Sequence, residues 1–386
     1  VDPTNFEPND WGTVVRTPGP HGYHAFVPAP LPRALPLPED LHALLSQADI
    51  AVGRLAGAGR LLRDPSLLVR PYAAREAVDS SRIEGTQASL TDLFAAQATA
   101  GPANLDVEEV ENYIEALNLG LRRLAGGFPL SVRLLREMHE RLLSGVRGHE
   151  RTPGQLRTTQ NWIGIGDATI TSATFVPPPP DKMLDCLRDW ESFPHEAVTM
   201  PVLVQCAVLH YQFETIHPFL DGNGRLGRLF VILLLVERGV LPGPLLYVST
   251  YLERRRDEYY TRLQAVREHG DIDGWLRFFL TAVRVQAEDA LTRAERLMDL
   301  RERYRAEIAA RTRSRANQVV DLLFNNPVIS AGLVMERLGV TNQGALNLIR
   351  QVEAAGLVRS YRSTRSLRWV ADGVLDVLEG ALFGED

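Results

Sequence analysis

Residues 217–228 read HPFLDGNGRLGR, and the fold reading turns on them. Gly222 and Gly224 admit positive φ and let the backbone approach a ligand with no Cβ in the way. A turn of that kind, feeding a helix, forms a nest of N–H groups for an anion. Arg225 and Arg228 add charge-assisted donors suited to phosphate oxygens. Asp221 is a hard oxygen ligand fit for Mg2+ beside a phosphate, and the Asn223 amide can donate to a phosphate oxygen. His217 titrates near neutrality and can take a proton from an attacking hydroxyl. Gly222, Gly224 and Gly227 also spell GxGxxG, the dinucleotide-binding pattern. That reading requires a preceding strand within a βαβ unit, and here a helical pattern precedes the loop.

Outward from the loop, PVLVQCAVLHYQFETI (201–216) is an apolar helix, and a second helix runs from about Gly224 to Arg238. Upstream, TPGQLRTTQNWIGIGDATITSATFVPPPP (152–180) has β-branched residues, glycines and a proline run, and is expected to form a β-hairpin flap. Helical spacing is expected at about 106–125, 131–145 and 181–194. PYAAREAVDSSRIEGTQASLTDLF (71–94) reads as two helices meeting at Gly85, and another helix begins near Leu41. Residues 1–40, rich in Pro and Gly, are expected to be an extended arm. Downstream, YLERRRDEYYTRLQAVREHG and a long charged helical stretch complete the helical part. The charged stretch either connects domains or lies at an oligomer interface.

The tail differs. ANQVVDLLFNN, SAGLVMERLGV and TNQGALNLIRQVEAAGL are three short helices with Ser330 and Thr341 as N-caps, and VRSYRSTRSLRWV is a hairpin. That order is a winged helix-turn-helix. The fold class is therefore mainly α, a helical domain with a flap followed by a winged unit. Expected divisions are 1–105, 106–290, a linker helix at 291–311, and 312–386.

Composition excludes several classes. The 386 residues carry 48 Asp plus Glu against 42 Lys plus Arg, a net charge of -6, so no global basic field draws the chain to nucleic acid or an anionic membrane. Lys182 is the only lysine. No Gly-Lys-Ser/Thr triplet exists, so phosphates are not held by a Walker A loop. Cys186 and Cys206 are too few and too far apart for a zinc or CxxC site and read as buried thiols, which points to the cytoplasm. The first ten residues lack a signal-peptide core, and the apolar run Leu229–Val236 is too short to span a membrane. His139 and His210 lie on apolar helical patterns as core or near-site residues. The proline run reads as a stiff strand exit.

With these residues in view, HPFLDGNGRLGR resembles the HxFx(D/E)GNGRxxR signature of the Fic (Fic/DOC) family at every fixed position. RTPGQLRTTQNWIG, ATFVPPPP and PYAAREAVDSSRIEGTQASL resemble flap and N-terminal regions of larger members, so the likeness covers residues 10 to 290 or so. The resemblance implies transfer of AMP from ATP to a protein hydroxyl, with His217 as general base and Phe219 packed inward. It implies Mg2+ on Asp221, an anion hole of Gly222, Asn223 and Gly224, and β- and γ-phosphates held by Arg225 and Arg228. Tyr259 and Tyr260 match a pair that lies near the adenine in similar proteins, and a homodimer is the family habit.

SSRIEG (80–85) resembles the family's inhibitory motif (S/T)xxxE(G/N). Ser80 and Glu84, at i and i+4, share one helix face. Glu84 is then expected to pair with Arg228 and block productive ATP binding. The flap is expected to add a target segment as an extra strand. For the winged unit two readings stay open. One is DNA binding through a locally basic surface, with Asn342, Gln343 and Asn347 reaching base edges; the other is protein docking or dimerisation. For the whole chain, the alternative to an adenylyltransferase is a DNA-binding regulator whose nucleotide site is a sensor, or an enzyme using another nucleotide or removing AMP.

Overall fold

The proline- and glycine-rich opening has no α-helix, as φ-restricted and turn-forming residues require, only one 3-10 turn at Pro3–Asn5. It is a two-stranded antiparallel ribbon, β1 (Gly12–Arg16) and β2 (His24–Pro28), with Gly12 opposite Pro28. In this computed structural model, residues 1–19, 22–61, 66–99, 104–164, 168–196, 198–363 and 366–380 are described.

Five helices follow: α1 (Glu39–Leu61), α2 (Ser66–Ile83), α3 (Leu90–Gln97), α4 (Leu105–Ala125) and α5 (Val132–Leu142). α2 and α3 are separated as the sequence implies, by Gly85 at φ 96°. Ser89 and Asp92 then start α3 with reciprocal side-chain caps. The expected flap is more irregular than a hairpin. Among the described residues its arms meet in one antiparallel bridge, Ile163 with Phe175, and 165–167 lie outside the description. One arm is fastened elsewhere instead: the Phe26 N–H of β2 donates to the Val176 carbonyl (2.9 Å).

After the prolines come α6 (Pro180–Ser192), α7 (Val202–Ile216) and α8 (Asn223–Glu237). α7 is buried at every position from Leu203 to Ile216, and α8 at nearly all of its own. Helices apolar on all faces belong at the centre of a body, so the motif loop joins two central helices. α9 (Ser249–Arg254), α10 (Arg256–His269) and the 40-residue α11 (Ile272–Arg311) complete the body. At 1.5 Å per residue α11 is about 60 Å long. The long charged stretch is a single helix, unbroken to Arg311 because no glycine or proline interrupts it after Gly274.

The tail forms α12 (Ala316–Asn325), β3 (Val328–Ile329), α13 (Ala331–Leu338), α14 (Asn342–Ala354), β4 (Arg359–Ser363), β5 (Ser366–Val370) and an unanticipated α15 (Asp372–Glu379). The strands order β3-β5-β4, all antiparallel. Thr341 and Ser330 cap their helices as expected. This winged unit shares one hydrophobic cluster with the helical body. Polar bonds pin it as well: Asn326 Nδ2 donates to Phe94 O (3.2 Å) and Ser330 Oγ to Ala98 O (2.5 Å). No helix among the described residues is long and apolar enough to cross a membrane.

Ser330 both caps α13, accepting from the Leu333 N–H (3.1 Å), and reaches Ala98 beyond α3. Ser330→Ala is expected to lower unfolding stability by about 1–2 kcal/mol. Urea titration checks this; a variant as stable as the parent would contradict the double role.

Candidate active site

His217 ends α7 in the left-handed region (φ 48°, ψ 61°), an unusual place for a residue with a Cβ. The conformation is held from outside. Arg157 donates through Nε to the His217 carbonyl (2.9 Å) and through Nη2 to Pro178 and Ile216. Asn161 donates to the Phe219 carbonyl (2.9 Å). The His217 Nδ1 lies 3.3 Å from the Glu214 carbonyl. A carbonyl only accepts, so Nδ1 carries the hydrogen and Nε2 keeps its lone pair.

Phe219 is buried against the His139 ring, centroids 4.0 Å apart and nearly parallel. His139 Nε2 donates to the Asp221 carbonyl (2.9 Å), while its Nδ1 accepts from the Gly154 N–H (2.8 Å). Asn223 does not project its amide toward a ligand as expected. Its side chain accepts from Phe219 N and donates to Phe219 O, both at 2.9 Å, and so closes the loop on itself. What Asn223 leaves available is its backbone N–H. Gly222 begins α8 at φ 78°, and no side chain among the described residues caps that terminus. The N–H groups at 223–225 thus form an open anion cradle at a helix N-terminus.

Asp221 is the exposed carboxylate beside the cradle. Its Oδ1 accepts from Gly222 N (2.5 Å) and lies 3.5 Å from Arg225 Nη2. No three His, Cys, Asp or Glu residues converge as a metal cluster among the described residues. Mg2+ beside a phosphate needs only one or two protein carboxylates, the rest being phosphate and water, and Asp221 fits that donor set.

Arg228 is almost fully buried and bonded to α2. Its Nε donates to Ser80 Oγ (2.8 Å), and its Nη2 to Ser80 O (2.9 Å) and Glu84 Oε1 (2.7 Å). Glu84 lies over the cradle: a Cβ on Gly224 would sit 2.4 Å from its Oε1. Burial pushes the Glu84 carboxyl up, but Arg228 and Arg225 outweigh it and hold it below its ordinary range. α2 is itself bolted down, with Glu76 accepting from Tyr113 and Ser249, and Asp79 from Thr250.

Comparison with known proteins settles the lineage. The Fic/DOC N-terminal profile matches residues 42–122 and the Fic/DOC profile residues 129–235. Residues 42–122 and 129–235 are Fic/DOC family domains. An HTH DNA-binding domain profile matches residues 317–360. The protein is 32% identical over 151 residues to a protein adenylyltransferase of Caenorhabditis briggsae, covering 39% of this chain and 26% of that one. It is 29% identical over 207 residues to one from Nematostella vectensis, covering 52% and 44%. The chain thus spans about a quarter to under a half of these relatives. A Fic family structure from Desulfovibrio desulfuricans superposes with TM-score 0.57 at 19% identity, covering 91% of this chain and 99% of that one, and shows the fold.

Within this Fic protein the tyrosine pair divides. Tyr260 is exposed beside the site, whereas Tyr259 is buried in an aromatic cluster with its hydroxyl 2.8 Å from His210 Nε2. Tyr259 therefore supports the site from below and offers no free face to an adenine. Sequence reading missed Arg157, Asn161 and Glu109 as site-builders. The first two lie in the quoted flap segment but act on main-chain carbonyls, which no side-chain pattern reveals.

Burial lowers three imidazoles: His139 to about 4, His210 to about 3 and His217 to about 4. His217 is thus neutral and proton-accepting at neutral pH. Each folded value lies below the unfolded 6.5, so each contributes stability that is present above 6.5 and lost as pH falls toward 4. Burial pushes Glu214 the other way, from 4.5 to about 7, a contribution present below 4.5 and lost through 7. The three imidazoles favour a loss of stability on acidification, opposed by Glu214 and by the buried Glu76 carboxyl, which burial also raises. The change in denaturant midpoint from pH 7.5 to 5 should be shifted toward stability in His210→Gln relative to the parent; an identical change would contradict a neutral buried imidazole at 210.

Proposed function

We propose that this protein is an adenylyltransferase that moves AMP from ATP to a Ser, Thr or Tyr hydroxyl of a protein target, itself included, and that its own α2 restrains it. The names of its relatives support the chemistry, and one observation carries the restraint: Arg228, placed to grip phosphate, is occupied by Ser80 and Glu84. In this reading the target hydroxyl gives its proton to His217 Nε2 as its oxygen attacks the α-phosphorus. The bond to the bridging oxygen breaks and pyrophosphate leaves. The loop at Gly222, Asn223 and Gly224 receives the phosphate through the backbone N–H groups of 223–225, with Gly222 setting the turn, while Arg225 and Arg228 take the remaining charge. Tyr260 flanks the base. Mg2+ on Asp221 would neutralise phosphate charge. Positioning and preorganised charge supply the acceleration, as in phosphoryl transfer generally. The divisions at 105, 290 and 311, a cytoplasmic setting consistent with two free thiols, and a homodimer belong to the same proposal.

The test is label transfer from α-labelled ATP with Mg2+ to lysate proteins. Glu84→Gly removes one charge-assisted bond and should raise labelling about 10- to 100-fold over the parent. Adding His217→Ala should cut it about 10²- to 10⁴-fold. Silence of Glu84→Gly with every nucleotide tried would sink the transferase reading; labelling with GTP or UTP alone would change its donor.

A second reading concerns the tail. The polar face of α14 stays open, with Asn342, Gln343, Asn347 and Arg350 exposed and the side-chain bonds of Gln343, Asn347 and Arg350 confined to that helix. This face, together with the family profile of the tail, supports binding of duplex DNA in a major groove. Anisotropy of a labelled duplex should show affinity falling steeply with salt and weakening in Arg350→Ala. Salt-independent or absent binding would leave protein docking as the tail's role.

A further inference from the structure

We propose that Glu109, on α4, is a positioning residue for nucleotide binding, acting through Arg225; the proposal rests on the adenylyltransferase reading above. Arg225 is 2% exposed, yet its Nε and Nη1 have no hydrogen-bond partner among the described residues. Buried guanidinium donors are normally all satisfied. Arg228, three positions on, has its bonds to Ser80 and Glu84; Arg225 is held differently. Glu109 Oε2 stands 3.7 Å from its Nη1, and Asp221 Oδ1 stands 3.5 Å from its Nη2. These distances supply counter-charge while leaving donors open, the state an arginine waiting for a polyphosphate should have.

The two carboxylates are not equivalent. The Asp221 side chain is 38% exposed, its Oδ1 is committed to the Gly222 N–H, and it is the group that would turn to a cation. The Glu109 side chain is 2% exposed and fixed. It accepts from Thr86 Oγ1 (2.7 Å) and from Arg147 Nη2 (3.2 Å). Removing the buried counter-charge of a buried cation leaves that cation uncompensated. Glu109 is thus the lasting anchor of the Arg225 charge. The same carboxylate is tied to the end of the restraining helix, since Thr86 follows Glu84 by two residues and Arg147 Nη2 also donates to the Glu84 carbonyl (3.3 Å). No motif marks Glu109, because it comes from a helix far from the loop in sequence.

The experiment uses the full chain in the Glu84→Gly background. Affinity for ATP and for AMP is measured by calorimetry with Mg2+, beside kcat and KM for label transfer. Glu109→Gln keeps the size of the side chain and an acceptor for Thr86 but removes the charge. ATP binding is expected to weaken about 10- to 100-fold, with KM rising in step, kcat little changed and AMP affinity preserved. Glu109→Asp, which keeps the charge but shortens its reach, should fall between. In Glu84→Gly/Arg225→Ala, Glu109→Gln should add nothing to the loss. Equal weakening of ATP and AMP, or a further loss without Arg225, would show a merely structural role and overturn the proposal. If Glu84→Gly binds and transfers normally and Glu109→Gln matches it, this proposal alone fails. If Glu84→Gly neither binds nor transfers any nucleotide, the adenylyltransferase reading fails and takes this one with it.

Discussion

A guanidinium buried as deeply as that of Arg228 is costly unless every edge finds a partner, and in this chain the partners come from a different helix. Ser80 of α2 and Glu84 in the turn that ends it supply them through three hydrogen bonds. This constraint reaches well beyond the loop. It requires α2 to lie across the start of α8, which in turn requires Gly85 to end α2 and α4 to back it. Glu76, Asp79 and Ser80 spread the anchoring along successive turns of α2, so the helix is located by polar bonds to α4, α8 and α9 as much as by apolar packing. Charge pairs of this kind specify geometry more than they add stability.

The motif loop owes its shape to rigidity on both sides. α7 and α8 are buried nearly all round, so their ends have little freedom. Between them the backbone must turn through left-handed positions at His217 and Gly222. Arg157, Asn161, Asn223 and His139 compensate by satisfying the carbonyls that such a path exposes. Strain at a non-glycine residue persists where surroundings over-determine it, and His217 meets that condition.

Much of this was legible from the chain alone. Helical spacing located most helices, because α4, α5 and α6 each bury one stripe; Gly85 marked the break after α2, and Ser330 and Thr341 marked caps. The pairing of Glu84 with Arg228 was implied by the likeness of SSRIEG to the family's inhibitory motif; the i, i+4 spacing alone puts Ser80 and Glu84 on one face and names no partner. What escaped has physical reasons. The flap read as a hairpin from β-branched residues, yet its pairing is spent largely on β2 and the loop. No residue within the long charged stretch tells where its partners change: α11 is one helix whose apolar positions pack first on α1 and then on α12. The Asn223 amide was read toward a phosphate from residue type, and Tyr259 toward an adenine from resemblance; the first bonds the loop backbone and the second lies in the aromatic core.

Gly224 has a consequence for how such a protein can change over generations. The space where its side chain would stand holds the Glu84 carboxylate, with no room for even a methyl group. In the proposed mechanism a phosphate needs that same opening. Inhibitor and substrate are thus rivals for one void created by one missing atom. On the proposed reading a larger residue at 224 displaces the Glu84 carboxylate and the phosphate alike, and the balance between restraint and activity is retuned from the rim, by altering what holds α2.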